Sequence, residues 1–160
     1  MCVWTEANES NIGYVDLGDP GSSPIMLVES LTAETGPALS PDERFMAYTS
    51  VESGRHEIYV LSFPDGDGRW QISSGGGIQP FWSPSGDRLF FSAPGGTMLM
   101  VVDVTTDPVR FSSPRIQFQQ DSLRNLNITA DGDFYALRRL AGVAQGSYAV
   151  WLNWRAGGED

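Results

Sequence analysis

The chain has 160 residues with 20 acidic against 10 basic side chains, a net charge of −10; this is enough length for one domain and sets nucleic acid and anionic membrane surfaces against it as partners. All ten basic residues are Arg, which excludes P-loop, Schiff-base and kinase-type lysine chemistry, and the single cysteine, Cys2, cannot close an internal disulfide or build a thiolate metal cage. No run nears the ~20 apolar residues of a membrane span, and "MCVWTEANES" lacks the basic start and apolar stretch of a signal peptide.

With 18 Gly and 10 Pro spread along the chain, and no 3.6-residue apolar period sustained for three turns, helices have few places to form. Short runs rich in Val, Ile, Phe, Tyr and Trp, bounded by Gly, Pro, Asp and Ser, predict strands instead. In chain order these are 2–5, 12–17, 25–28, 36–40, 44–50, 56–63, 69–73, 79–83, 87–93, 98–104, 115–119, 124–129, 133–139 and 147–154. "EIYVL" and "RLFF" are apolar at successive positions, which predicts middle strands covered on both faces.

One phrase recurs: "SPDERFMAY" at 40–48, "SPSGDRLFF" at 83–91 and "TADGDFYAL" at 129–137. Pro37 and Pro80, Leu39 and Trp82, Ser40 and Ser83, and Pro41 and Pro84 each stand 43 positions apart. A period of about 40–50 residues holding four short strands marks one blade of a β-propeller. In the turn, Ser40 can accept a backbone N–H, Pro41 presets φ near about −65°, and Asp42 tolerates the second central position. The next position commonly needs positive φ, where glycine costs least. Gly86 and Gly132 hold it in the second and third copies. Glu43 holds it in the first, as a variant turn or at a strain of roughly 1 kcal/mol.

These motifs resemble the TolB-type, WD40-like propeller repeats of bacteria, whose blades carry a Ser-Pro-Asp-Gly turn followed by an apolar strand ending in Ala-Tyr. "ALSPDERFMAYTS" and "PFWSPSGDRLFFSA" match this pattern with Glu43 replacing Gly and Ser85 replacing Asp, while "NITADGDFYALRR" keeps Asp131 and Gly132 without the Ser-Pro. "ESGRHEIYVLSFPDGDGRWQISSGGGIQPFWSPSG" and the later "YAVWLNW" are similar to the C-terminal end of propellers joined to bacterial serine/threonine kinases through a membrane segment. The resemblance implies an all-β, partial β-propeller with two complete four-stranded antiparallel blades, 36–73 and 79–119, two partial blades, 2–28 and 124–154, and a tail, 155–160. It also implies a non-enzymatic module for protein–protein interaction or ligand sensing, with no cofactor, no metal, no shared catalytic residue, and a periplasmic or otherwise extracytoplasmic setting in a longer protein.

A propeller closes with about four to eight blades, so three expectations stand side by side. The chain is the C-terminal part of a longer protein, which a strand starting at residue 2 favours, or an open segment, or one half of a homodimer that completes a ring. The other functional class is an accessory propeller of a prolyl-oligopeptidase-like serine peptidase, whose G-x-S-x-G domain is not in this sequence.

His56, the only histidine, reads as a surface residue heading a strand and not as a catalytic or metal-binding group. Asp65 and Asp67 in "PDGDG" alternate as in a calcium loop but lack the downstream bidentate Glu, and read as a hairpin turn. "SSGGGIQP" at 73–80 reads as a flexible connection between blades and not as a phosphate cradle. Trp4, Trp70, Trp82, Trp151 and Trp154 read as packing between blades and not as a sugar-stacking surface. The expected binding surface lies on the loops leading into the inner strands at the channel mouth, including Gly36 and Gln79. The charge of −10 favours a basic patch on a protein or peptide partner there.

Overall fold

Fifteen strands and no helix make up the described part of the structure, a computed structural model that describes residues 2–5, 11–16, 18–19, 21–119, 123–139 and 148–154, with the backbone alone for 2–5, 123–125, 138–139 and 148–154. They form four sheets in which strands adjacent in sequence lie side by side. The first sheet is β1 (Cys2–Thr5), β2 (Ile12–Val15) and β3 (Ile25–Val28). The second is β4 (Glu34–Leu39), β5 (Phe45–Ser50), β6 (Glu57–Ser62) and β7 (Arg69–Gln71). The third runs β8 (Ile78–Trp82), β9 (Arg88–Ser92), β10 (Met98–Thr106) and β11 (Val109–Phe111), with β12 (Arg115–Gln119) also paired to β10. The last is β13 (Leu123–Ile128), β14 (Phe134–Arg139) and β15 (Tyr148–Trp154). Successive up-and-down sheets of three to five strands are blades, and the architecture is an all-β, partial β-propeller.

Strand β11 is absent from the sequence reading, and β10 runs two residues further than expected, to Thr106. The cause is shared: Val104–Thr106 pair with Val109–Phe111 across a tight turn, while Met98–Val101 pair with Arg115–Gln119. The fourth strand of this blade is therefore broken around Ser112–Pro114. Ser112 fills the break by donating its N–H to Asp103 O at 3.0 Å and accepting the Asp103 N–H on Oγ at 2.9 Å.

The chain divides into two compact units, Met1–Pro80 and Phe81–Asp160. In the first, all six residues of β5 and the first five of β6 are buried; the apolar run Ile58–Leu61 predicts this for β6, whereas Thr49, Ser50 and Glu57 are polar and buried as well. One face of this sheet packs Met46, Tyr48, Tyr59 and Leu61 with Ile12, Leu27 and Val28 of the preceding sheet. Outer strand β7 is exposed at both Arg69 and Gln71. In the second unit Phe81, Phe90, Leu99, Val101 and Phe118 form one cluster with Phe134, Leu126 and Ile128. Phe134 meets Phe90 and Phe118 edge-on, with centroids 5.2 and 5.5 Å away, a preferred geometry for aromatic pairs.

The three recurring turns share one chemistry. Ser40 Oγ accepts the N–H groups of Arg44 (3.2 Å) and Phe45 (3.0 Å), Ser83 Oγ that of Arg88 (3.0 Å), and Thr129 Oγ1 that of Asp133 (3.1 Å). Glu43, Gly86 and Gly132 each return an N–H to the first residue's carbonyl, and all three are left-handed, at φ 57°, 74° and 88°. Glu43 takes the glycine conformation with a side chain in place.

Candidate functional site

Strands β4 and β8 open their blades, and both begin with an irregularity at the same place in the repeat. Gly36 has φ 61° and Gln79 has φ 55°. Both are exposed. The β4–β5 register slips between Thr35 and Ala38, and a glycine in left-handed conformation is the usual way to accommodate such a bulge. At Gln79 the same backbone carries a side chain, at a strain of about 1–2 kcal/mol. A Cβ on Gly36 would lie 3.8 Å from Pro80 Cδ, so the two residues singled out from the sequence sit at neighbouring points.

Beside this point lies Glu34, 1% exposed. A buried carboxylate is costly unless it is hydrogen-bonded, and Glu34 Oε1 accepts three hydroxyls: Ser30 Oγ at 2.9 Å, Thr32 Oγ1 at 2.8 Å and Ser50 Oγ at 3.1 Å. Its Oε2 is buried and finds no donor among the described residues. The β3–β4 connection is drawn onto this carboxylate. Ser30 Oγ also accepts the Thr32 N–H at 2.9 Å, and Ser30 N–H donates to Asn11 Oδ1 at 3.1 Å.

Glu34 pairs with Ser50 across the sheet, and Ser50 pairs in turn with Glu57. Glu57 is also fully buried. Its Oε1 accepts Arg55 Nε at 2.8 Å; its Oε2 accepts the Ser73 hydroxyl and the Gly76 N–H, the latter at 2.9 Å. Arg55 donates further to Ser74 O at 2.8 Å, and Gly77 N–H donates to His56 O at 2.9 Å. One row of two glutamates and a serine thus ties down three connections, β3–β4, β5–β6 and β7–β8, at the end of the blade where Gly36 and Gln79 lie. The stretch 73–80, expected as a flexible connection, is held here, with Ser73, Gly76 and Gly77 buried.

The next blade supplies a comparison. Forty-three positions on from Glu34 and Ser50 stand Gly77 and Ala93. Met98, whose carbonyl accepts the Ala93 N–H at 2.9 Å, occupies the hairpin position of Glu57. The blade fold does not require the polar row.

On the outer edge of the same blade Arg69 donates to Tyr48 Oη at 2.8 Å, pairs with Glu52 at 2.6 Å and lies 4.5 Å from the Tyr59 ring centroid. Burial opposes the charge on Arg69, but the bonds to Glu52 and Tyr48 outweigh it and hold the guanidinium above its ordinary value. Burial raises the Tyr48 phenol despite Arg69, and raises Tyr59 as well. This group clamps β7 to the blade.

The remaining candidates lie elsewhere. His56 is exposed in the β5–β6 connection. Asp65 and Asp67 are exposed on a turn closed by Ser62, whose carbonyl accepts the Gly66 N–H at 2.9 Å and whose Oγ accepts the Gly68 N–H at 2.6 Å. Trp82 is buried, and Trp70 is half-buried with its ring 6.0 Å from that of Phe45. Trp4, Trp151 and Trp154 have side chains outside the described residues. Sequence reading missed Glu34, Glu57 and Ser50; comparing the two blades at the repeat offset was the available signal.

Sheets of this order and connection define a β-propeller. TolB from Acinetobacter baumannii superimposes with a TM-score of 0.56 at 21% identity, covering 94% of this chain and 48% of that one. A TolB-type structure from Agrobacterium tumefaciens gives 0.64 at 19%, covering 86% and 49%. An oligogalacturonate lyase from Vibrio parahaemolyticus gives 0.55 at 11%, covering 84% and 35%. The chain thus spans about half the length of the TolB structures it matches. No protein-family profile and no curated protein matches the chain. Among the described residues no helix is long and apolar enough to cross a membrane.

Proposed function

We propose that the chain is a non-catalytic propeller module that binds another protein through the face around Gly36 and Gln79, within a longer extracytoplasmic protein of the kinase-linked sensor type its sequence resembles. The observation that carries this reading is the polar row Glu34, Ser50, Glu57. It orders three loops on one face of one blade, and the next blade has Gly77, Ala93 and Met98 there. Order imposed on surface loops beyond what the fold requires fits a surface that is read by a partner.

The test uses the full-length protein, with Thr35→Arg and Gln79→Arg introduced at exposed positions of that face. Partner capture from the native cell envelope, followed by titration with the purified partner, is expected to show binding weakened about tenfold or more at an unchanged unfolding midpoint. Unchanged affinity contradicts the proposal. So does turnover of a peptide, glycan or lactone substrate that these substitutions abolish.

A further inference from the structure

The segment Glu29–Thr35 inverts the usual rule that apolar side chains face inward. Its inward side chains, Ser30, Thr32 and Glu34, are polar and joined through Glu34 Oε1. Its outward ones are Glu29, Leu31, Ala33 and Thr35, all exposed. Leu31 is 106% exposed, the largest value among the exposed large hydrophobic side chains of the described residues. A lone exposed leucine on a mobile loop is ordinary; this one is flanked on both sides by residues hydrogen-bonded to a buried carboxylate, so its backbone is held while its side chain is fully exposed among the described residues.

The acidic side chain beside it is uncompensated. Glu57 has Arg55 and Glu52 has Arg69. Glu29, exposed next to the turn, has no cationic partner among the described residues. A fixed apolar knob beside an exposed acidic side chain calls for an apolar pocket with a basic rim.

Resting on the interaction function proposed above, we propose that Leu31, presented by the turn Ser30–Thr32 and flanked by Glu29, is the anchor that inserts into such a pocket on a folded protein partner. Because the turn is ordered before contact, binding loses little loop entropy, and the truncation cost concentrates on one side chain, as at an interface hot spot.

The experiment places a photo-crosslinking amino acid at position 31, 79 or 116 in the full-length protein, the last replacing Ile116, which is 57% exposed in the other unit. The crosslinked protein is then purified and titrated. The expected result is a crosslink from position 31 and none from 116, with Leu31→Asp weakening affinity about tenfold or more and Leu31→Met close to unchanged. Glu29→Arg is expected to weaken binding severalfold and to flatten its dependence on salt. Leu31 is fully exposed among the described residues, so loss of fold does not confound these variants; unfolding midpoints verify it. Crosslinks from 79 or 116 with Leu31→Asp binding normally overturn the anchor while leaving an interaction module. A partner that binds Leu31→Asp more tightly, or one whose crosslinked surface is acidic, also overturns it. No specific crosslink from any position overturns both proposals.

Discussion

Glu43→Gly is expected to stabilise the protein. Glu43 sits at φ 57° where the matching turns have Gly86 at 74° and Gly132 at 88°. Its N–H is bonded to Ser40 O at 2.9 Å, a bond that glycine keeps. Its side chain is exposed, so little is lost with it. Relief of a left-handed non-glycine residue is worth about 1–2 kcal/mol. The added freedom of glycine in the unfolded chain takes back about 0.4–1 kcal/mol, leaving a net gain of about 0.5–1 kcal/mol. With an m-value of about 2 kcal/mol/M in urea, the midpoint rises by about 0.3–0.5 M at unchanged m. Glu43→Gln separates charge from backbone and is expected to move the midpoint by less than half as much. The reciprocal change Gly86→Ala is expected to lower it by at least the same amount. A fall in the midpoint for Glu43→Gly, or an equal rise for Glu43→Gln, would refute the assignment of strain to this turn.

Gly68→Ala is expected to destabilise by about 1–3 kcal/mol, because a Cβ there meets the Trp70 ring and lies 3.1 Å from Ser62 Oγ; the accompanying change in tryptophan emission shows whether the Trp70–Phe45 contact is the one displaced. Tyr48→Phe removes the acceptor of Arg69 Nε from a fully buried ring, and a loss of about 1.5–3 kcal/mol in chemical denaturation is expected, whereas no loss would show that Glu52 alone holds Arg69. Asp87 is held below its ordinary carboxyl value chiefly by the hydroxyls of Ser85 and Ser83. Its contribution is therefore present above the unfolded value of about 3.9 and fades as pH falls through the lower folded value; Asp87→Asn is expected to flatten the acid limb of the stability profile below pH ~4, and a limb of unchanged slope contradicts the linkage.

Much of the fold can be read from the chain because its information is local and repeated. The hydroxyl at Ser40 or Ser83, the left-handed position at Glu43 or Gly86, and the apolar runs of β6 and β9 each require a structure within a few residues. Strand β11 escaped because three residues after Pro108 carry no pattern of their own; their pairing is set by how far β10 extends. The shared left-handed backbone of Gly36 and Gln79 falls at one place in the repeat because the 43-residue offset aligns the starts of the first strands. The polar row could not be found by inspecting Glu34 or Glu57 singly, since "TAETGP" and "GRHEIY" look like ordinary surface sequence. Their burial is decided by hydroxyls at Ser30, Thr32, Ser50 and Ser73, up to 16 residues away in sequence, and becomes visible only once the strands are in register.

The third turn bears on how such chains diverge. Thr129 performs the Ser40 and Ser83 role without a following proline: it accepts the Asp133 N–H, and Gly132 returns an N–H to its carbonyl at 3.0 Å. The invariant of this corner is thus a hydroxyl followed three positions later by a left-handed residue, and the proline is dispensable. A blade can drift in nearly every other letter and still turn the same way. Aligning such sequences on donor and acceptor geometry, with Ser and Thr as one symbol and backbone handedness as another, should recover related blades after letter-by-letter similarity has faded.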